Sequence, residues 1–260
     1  MTFVDVQDEP PSKDIPGPKP ESKGPNDSQW GYDLYPERRQ GRTSKSIGQV
    51  MLGLAGRENL RKIDCERSVY QCLKSSPLVR LMVGALKASG CPIDIRRHIS
   101  CEDCAPSVSG GYDPVLNQVV LCHNNSFREG IVQGVLTHEM IHMFDYCRNN
   151  LDFKNIDHLA CTEIRAANLA HCSFLSAWMN GDTSIFNFKE THQNCVKSKA
   201  LSSMLAVRNI TKLEAIDAIE RVFTKCYNDL EPVGRRLRRN SFDIQKAFQD
   251  GIYFGYDDGQ

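Results

Sequence analysis

The chain has 260 residues, 40% of them hydrophobic, which is typical of one mid-sized globular domain with an irregular tail. Its 32 basic and 32 acidic side chains give a formal net charge of zero, so no nucleic-acid partner is predicted. No run of 18 apolar residues occurs, so the sequence predicts no membrane-spanning helix.

Eleven cysteines are many for a reduced domain of this size, and they are scattered singly apart from Cys101 and Cys104. Such scatter favours a disulfide framework over a zinc ribbon, and an odd count leaves at least one thiol unpaired. The N-terminus has neither the basic-then-apolar pattern of a secretory signal nor the acid-poor pattern of a transit peptide. Together these features predict the mitochondrial intermembrane space, where oxidation can trap a chain without a leader.

The first 45 residues are rich in Pro, Gly, Ser and charge without an apolar period, which predicts a disordered tail over residues 1–45. Three aromatic residues in it form either a docking segment or a loosely packed part of the tail: Trp30, Tyr32 and Tyr35. Residues 46–260 are expected to form a single domain. Its first unit is helical from Asn59 to Ser89, with a break at Pro77.

Residues 92–123 have the pattern of a small sheet. Ile93 and Ile95 alternate with polar residues, and two later runs flank a hairpin turn at Asp113-Pro114 and Asn117. Helical patterns then cover residues 127–148, 157–179, 192–208 and 211–230, the last opening on a capping box of Thr211 and Glu214.

The last two helices, within residues 192–230, are expected to form an antiparallel hairpin that turns at Asn209-Ile210. Cys195 lies 15 residues before Ile210 and Cys226 lies 16 after it, so the two sulfurs should stand at similar height. We therefore predict a disulfide between Cys195 and Cys226.

The sequence His138-Glu139-Met140-Ile141-His142 matches the H-E-x-x-H pattern of zinc peptidases. Positions i and i+4 lie about 40° apart on a helix, so both imidazoles can bind one Zn²⁺ ion. Glu139 lies beside that face, where it can act as the catalytic base. A chance match on a solvated face is the alternative, but the other sides of this helix are apolar, which favours a metal site.

A catalytic zinc site needs a third protein ligand, and three residues are candidates. Asp145 shares the face of His142, but a straight helix cannot wrap three turns around one ion. His158 and Glu163 lie on the next helix about 140° apart, so only one of them can face the metal. Glu163 is favoured because small residues flank it and would allow close helix packing: Ala160, Ala166, Ala167 and Ala170.

Several motifs together resemble the mitochondrial inner-membrane metalloprotease family of the Atp twenty-three type, whose vertebrate members are also called Ku-binding proteins. The similarity runs from Cys65 to Tyr256. Besides the H-E-x-x-H helix, it rests on Ser100–Cys104, Ser109–Asp113, Glu163–Asn168 and Leu205–Asn209.

The resemblance implies an α+β, mainly helical, zincin-like metalloprotease domain with a small N-terminal sheet or hairpin and a C-terminal helical hairpin. It implies a peripheral protein on the intermembrane-space side of the inner membrane that processes ATP synthase subunit 6 and assists assembly of the membrane sector. An assembly chaperone with dispensable protease activity, or a nuclear Ku-associated factor, are the alternatives. The family's cysteine set leaves Cys72 as the candidate free thiol.

Four residues are candidates for stabilising the oxyanion, and the sequence does not choose among them: Tyr112, Tyr146, His171 and Arg165. The segment Val108–Cys122 either offers an edge strand to an extended substrate or is a plain structural hairpin. A basic cluster either contacts anionic lipid or is solvated: Arg235, Arg236, Arg238 and Arg239.

Overall fold

The computed structural model describes residues 34–35, 54–125, 128–172, 188–238 and 241–259. The predicted tail, residues 1–45, therefore lies outside the described residues except for Leu34 and Tyr35. The division into this tail and one domain over residues 46–260 stays a prediction.

Within the described residues, the first two helices are α1, Leu54–Ser75, and α2, Pro77–Ala88. The break predicted at Pro77 is confirmed. The Ser76 hydroxyl accepts a hydrogen bond from the Val79 N–H, and Pro77 takes the first helical position, where its missing N–H leaves no partner unsatisfied.

A three-stranded sheet follows, formed by β1, Ile99–Glu102, β2, Gly110–Asp113, and β3, Gln118–Cys122. The strand order is β1-β3-β2. Strand β1 is parallel to β3, whereas β2 and β3 form the predicted antiparallel hairpin, so β2 is an edge strand. The Asp113 carboxylate accepts from the backbone N–H groups of Val115 and Leu116, and Asn117 has a φ of 50° in the turn.

The expectation of a strand at Ile93 and Ile95 is wrong. Ile95–His98 is one helical turn, α3, because Asp94 caps it by accepting a hydrogen bond from the Arg96 N–H. Two alternating apolar residues are too short a pattern to outweigh a local cap of this kind.

The predicted metal helix is α4, Glu129–Arg148. It is followed by α5, Ile156–Ala166, which continues directly into a π-helical turn, Ala167–His171. Residues 173–179 of the predicted helix lie outside the described part of the chain. Among the described helices, none is both long and apolar enough to cross a membrane.

The C-terminal hairpin consists of α6, Phe188–Val207, and α7, Lys212–Asn228. The capping box of Thr211 and Glu214 is present as predicted. A last helix, α8, Asp243–Tyr253, was not predicted.

Two apolar cores lie on either side of α5. One joins α1, α2, α4, the sheet and α8, and the other joins α5, α6 and α7. The four alanines of α5 and its π-helical turn are divided between the two cores: Ala166 and Ala170 pack in the first core, and Ala160 and Ala167 pack in the second. The small residues thus allow close packing on two sides of α5, not on one.

Five disulfides connect the elements, and the predicted Cys195–Cys226 bond is wrong. Similar height along a hairpin does not set the direction in which each sulfur points, and α7 turns Cys226 toward α5. Cys72 is the buried free thiol, as expected. The pairs are Cys65–Cys101, Cys91–Cys147, Cys104–Cys122, Cys161–Cys226 and Cys172–Cys195.

The basic side chains of the cluster near the C-terminus contact other residues of the same chain. Arg235 pairs with Asp250, and the Arg238 guanidinium donates to Asp243 at 2.8 Å. Arg236 donates to the Tyr227 carbonyl at 2.9 Å. These contacts favour a structural role over lipid binding; Arg239 lies outside the described residues.

Candidate active site

The H-E-x-x-H residues lie in the middle of α4 on its side toward α5. The Nε2 atoms of His138 and His142 are 3.1 Å apart, and His142 and Glu139 are 4% and 7% exposed. One ligand atom from each of His138, Glu139 and His142 can be chosen so that all lie within 4.8 Å of one another. The helix therefore presents a compact, buried group of potential metal ligands.

Glu163 reaches this group from α5. Its Oε2 atom lies 3.6 Å from His138 Nε2 and 3.7 Å from His142 Nε2. Among the described residues, this buried oxygen has no hydrogen-bond partner. A buried carboxylate oxygen without a donor is costly, and a cation at this point would satisfy it.

The separations fit a tetrahedral metal. Bonds of about 2.0–2.1 Å at tetrahedral angles place two ligand atoms about 3.3 Å apart. The three observed separations, 3.1, 3.6 and 3.7 Å, lie close to that value. The two imidazoles and the Glu163 carboxylate can therefore hold a metal ion.

The other two candidate ligands point elsewhere. His158 is exposed, and its Nδ1 atom accepts a hydrogen bond from the Asp152 N–H at 3.2 Å. Asp145 is 2% exposed and faces Arg165, whose Nε atom donates to both carboxylate oxygens at 3.0 and 2.9 Å.

Asp145 acts on the site through Thr162. The Thr162 hydroxyl donates to Asp145 Oδ2 at 2.9 Å, because an ionised carboxylate only accepts. The hydroxyl oxygen is then left to accept from the Nδ1–H of His142, 2.8 Å away. This arrangement fixes the tautomer of His142 with an unprotonated Nε2 atom toward the ligand group. Thr162 was not predicted as a site residue; its only signal in the sequence is a hydroxyl one residue before a candidate ligand.

Arg165 anchors this arrangement to the end of α7. Besides Asp145, its guanidinium donates to the Asp229 carbonyl at 2.7 Å and to the Glu231 carbonyl. It is 2% exposed, so the buried charge of Asp145 is matched within the protein.

Burial sets the protonation of His142 and Glu139. Burial lowers the pKa of His142 to about 4, because its effect exceeds the opposite effect of the Glu163 carboxylate, which raises this pKa. The imidazole is therefore neutral near pH 7 and able to bind a metal. Burial also raises the pKa of Glu139 to about 7, against the lowering effect of His138. A carboxyl group with such a pKa can both accept and release a proton near neutral pH.

A cleft of about 360 Å³ opens onto these residues. The edge strand β2 forms one wall, and Gly110 lets it approach α4: a Cβ there would lie 2.4 Å from a Val135 methyl and 3.7 Å from Glu139 Oε1. Ser203 of α6 and Arg208, which directly follows the end of this helix, line the other side.

The structure narrows the four candidate oxyanion donors. Arg165 is engaged as described above, and the Tyr112 hydroxyl donates to Asn117 Oδ1 at 2.7 Å. The Tyr146 ring packs against Tyr112, 6.1 Å between centroids. The ring of His171, by contrast, lies only 4.7 Å from that of His138.

The π-helical turn explains why His171 lies so close. Continued as an α-helix, the chain would place His171 about 80° round from Glu163, which lies eight residues earlier. A π-helix has more residues per turn than an α-helix, so each residue rotates the chain by fewer degrees about the helix axis. The π turn therefore reduces the angular offset between Glu163 and His171. His171 thus remains on the side of the helix that faces the ligand group.

A histidine pair on one helix, a glutamate beside it, and a carboxylate oxygen from a second helix form the kind of centre that metallopeptidases have, here in a mainly helical domain. Comparison with known proteins agrees. Residues 63–234 match the Peptidase M76 family, and the chain belongs to that family.

Similar proteins come from vertebrates and fungi. The chain is 41% identical over 251 residues to a Danio rerio protein called "Mitochondrial inner membrane protease ATP23 homolog", covering 95% of this chain and 92% of that one. The Homo sapiens protein of the same name is 46% identical over 173 residues, 66% and 69% of the two chains. "Mitochondrial inner membrane protease ATP23" of Mycosarcoma maydis is 32% identical over 202 residues, 67% and 92%. No solved structure matches.

Proposed function

We propose that this protein is a zinc metalloendopeptidase whose metal is held by His138, His142 and Glu163 and whose catalytic base is Glu139. The observation that supports it most is the convergence of two Nε2 atoms and one carboxylate oxygen at separations of 3.1 to 3.7 Å. Glu139 lies beside them, facing a cleft.

The donor set supports zinc in particular. Two imidazole nitrogens and one carboxylate oxygen, with a fourth position open, are the ligands of catalytic zinc in many peptidases. When bound, the ion supplies a Lewis acid that polarises the scissile carbonyl and makes water acidic enough to attack at neutral pH.

Glu139 would move the proton. It directly follows His138 on α4 and lines the cleft, and its pKa near 7 suits transfer in both directions. It accepts a proton from the attacking water and returns it to the leaving amine. His171 is the best placed of the four candidates to donate a hydrogen bond to the developing oxyanion.

The substrate would bind as an added strand on β2. The Cys122 N–H donates to the Ser109 carbonyl at 3.0 Å, so in an antiparallel ladder the next residue, Gly110, turns its N–H and C=O away from β3. The backbone N–H and C=O of Tyr112, two residues later, also face away from β3. These groups face the side on which an extended peptide could pair, which favours β-augmentation over a plain structural hairpin.

The cellular site we propose is the intermembrane-space side of the mitochondrial inner membrane, with peripheral attachment. The names of the relatives support the inner membrane. Five disulfides support an oxidising compartment and disfavour a nuclear pool. Substrates would be proteins of that compartment, with ATP synthase subunit 6 as the first to test.

Glu139→Gln tests the chemistry. Cleavage of fluorescein-labelled β-casein should fall by about 10²- to 10⁴-fold, the usual contribution of a general base, while zinc content and thermal unfolding stay at wild-type values. Glu129→Gln, an exposed change on the same helix, is the matched control and should cleave normally. Near wild-type cleavage by Glu139→Gln would show that the assigned mechanism is wrong.

A protease-protection experiment tests the location. In isolated mitochondria the protein should resist added protease until the outer membrane is ruptured, and carbonate should then extract it from the membrane. Accessibility before rupture, or resistance to carbonate, would contradict the proposed site.

A further inference from the structure

Tyr35 lies on the edge strand beside the candidate active site, although it comes from the predicted N-terminal tail. Its hydroxyl donates to the Gly110 carbonyl at 2.8 Å. The preceding residue is held as well, because the Ala105 N–H donates to the Leu34 carbonyl at 2.8 Å. Two hydrogen bonds therefore hold Leu34–Tyr35 against the sheet: one that the Tyr35 side chain donates and one that the Leu34 backbone accepts.

The Tyr35 ring fits a place that is shaped for it. A Cβ on Gly111 would lie 2.1 Å from the Tyr35 hydroxyl oxygen and 2.9 Å from the adjacent ring carbon, so the ring in this position uses space that glycine leaves open. The ring packs against a small apolar cluster, called here the aromatic subsite, formed by Val108, Val120 and the Cys104–Cys122 disulfide.

This subsite is part of the substrate cleft. Leu34, Tyr35, Val108 and Val120 line the same cavity as the residues of the candidate active site. The bond from Tyr35 also occupies the Gly110 carbonyl, which faces away from β3. Gly110 lies beside Glu139, since a Cβ there would be 3.7 Å from Glu139 Oε1. A substrate strand that paired with β2 next to Glu139 would need the same carbonyl.

We propose that the aromatic subsite binds an aromatic side chain of an extended peptide substrate, and that Tyr35 fills it in cis as a competitor. This inference rests on the proposed peptidase function. The peptide's aromatic ring would replace Tyr35 over Gly111, and its backbone N–H would replace the Tyr35 hydroxyl at the Gly110 carbonyl. The aromatic subsite would then control both the access of substrate to the cleft and the preference of the enzyme for aromatic residues in the substrate.

Enzyme kinetics on the full chain test the competition. Tyr35→Ala should raise kcat/KM for β-casein by about five- to tenfold, the factor that corresponds to one neutral hydrogen bond and part of a ring contact. Tyr70→Ala, a change at an exposed tyrosine of α1, is the matched control and should leave the rate unchanged. An unchanged or lower rate for Tyr35→Ala would overturn the proposal.

The cleavage sites in β-casein test the specificity. Mass spectrometry of the products of Tyr35→Ala should show aromatic residues enriched at one fixed distance from the cut bond. Gly111→Ala should lose that enrichment, because its methyl group takes the place of the ring. Equal use of aromatic and aliphatic residues at every position would overturn the assignment of the subsite.

A binding experiment separates this proposal from the peptidase function. A synthetic peptide of residues 30–40 is added to the full-length Tyr35→Ala protein, and hydrogen exchange of the Ala105 amide is measured. The peptide should slow that exchange, whereas the same peptide with alanine in place of Tyr35 should not. If the first peptide gives no protection, the subsite proposal fails, whatever the proteolytic activity; if protection is seen without any cleavage of casein, only the peptidase proposal fails.

Discussion

Replacing Thr162 with valine removes the hydroxyl group that connects His142 to Asp145 while keeping the shape of the side chain. Thr162 is fully buried, and both its hydrogen bonds are short: 2.8 Å from the His142 Nδ1 atom and 2.9 Å to Asp145 Oδ2. Valine and threonine have similar helix propensity, so α5 itself should be unaffected.

The loss can be worked out bond by bond. Without the hydroxyl, the His142 N–H has no acceptor in a buried place, which costs about 1–3 kcal/mol. Asp145 keeps both bonds from Arg165, so its charge stays matched. The imidazole is then free to rotate or to change tautomer, and loss of such an outer partner usually weakens metal binding by about 10- to 100-fold, or about 1.4–2.7 kcal/mol.

Competitive titration with a zinc-chelating fluorophore measures this effect directly. Thr162→Ser, which keeps the hydroxyl, is the control and should stay within about threefold of wild type, since both hydrogen bonds remain possible. Circular dichroism shows whether the variants are folded. A folded Thr162→Val protein that binds zinc as tightly as wild type would refute the role given to the hydroxyl.

Three further predictions follow from the same structure. Glu163→Ala should lose the bound zinc, whereas His158→Ala should keep one ion per chain, as measured by atomic emission; loss of zinc from the second variant would exchange their roles. Ellman's reagent should find one thiol per chain, and only after denaturation, because burial raises the pKa of Cys72 to about 11; fast reaction of the native protein would contradict this. Removing the Cys161–Cys226 bond, which closes a loop of 65 residues, should lower the free energy of unfolding by about 4 kcal/mol in urea titrations; a change below about 1 kcal/mol would mean that the oxidised protein does not depend on it.

Local chemistry fixed in the sequence accounts for most elements. The Pro77 break and the capping box at Thr211 depend on side chains one to three residues away, and both appear as predicted. The side-by-side placement of His138 and His142 follows from helix geometry alone. Where a local signal was weak, as at Ile93 and Ile95, a nearby cap decided the structure instead.

Long-range partners were set by packing. The sequence spacing predicts similar heights for Cys195 and Cys226, but in the structure they pair with Cys172 and Cys161, because the rotation of each helix about its axis sets where a sulfur points. That rotation depends on which residues of α5, α6 and α7 meet in the second core, which no local pattern encodes.

The sequence by itself therefore determined how the two imidazoles and Glu139 are placed relative to one another, because all three lie on one helix whose geometry is the same in any protein. It also reduced the third ligand to Asp145, His158 or Glu163, since reach and residue type limit the choice. Only the tertiary structure brought Glu163 Oε2 to within 3.7 Å of both imidazoles and connected His142 to Asp145 through Thr162. These contacts join residues on two helices, and their geometry depends on how α5 packs between the two cores.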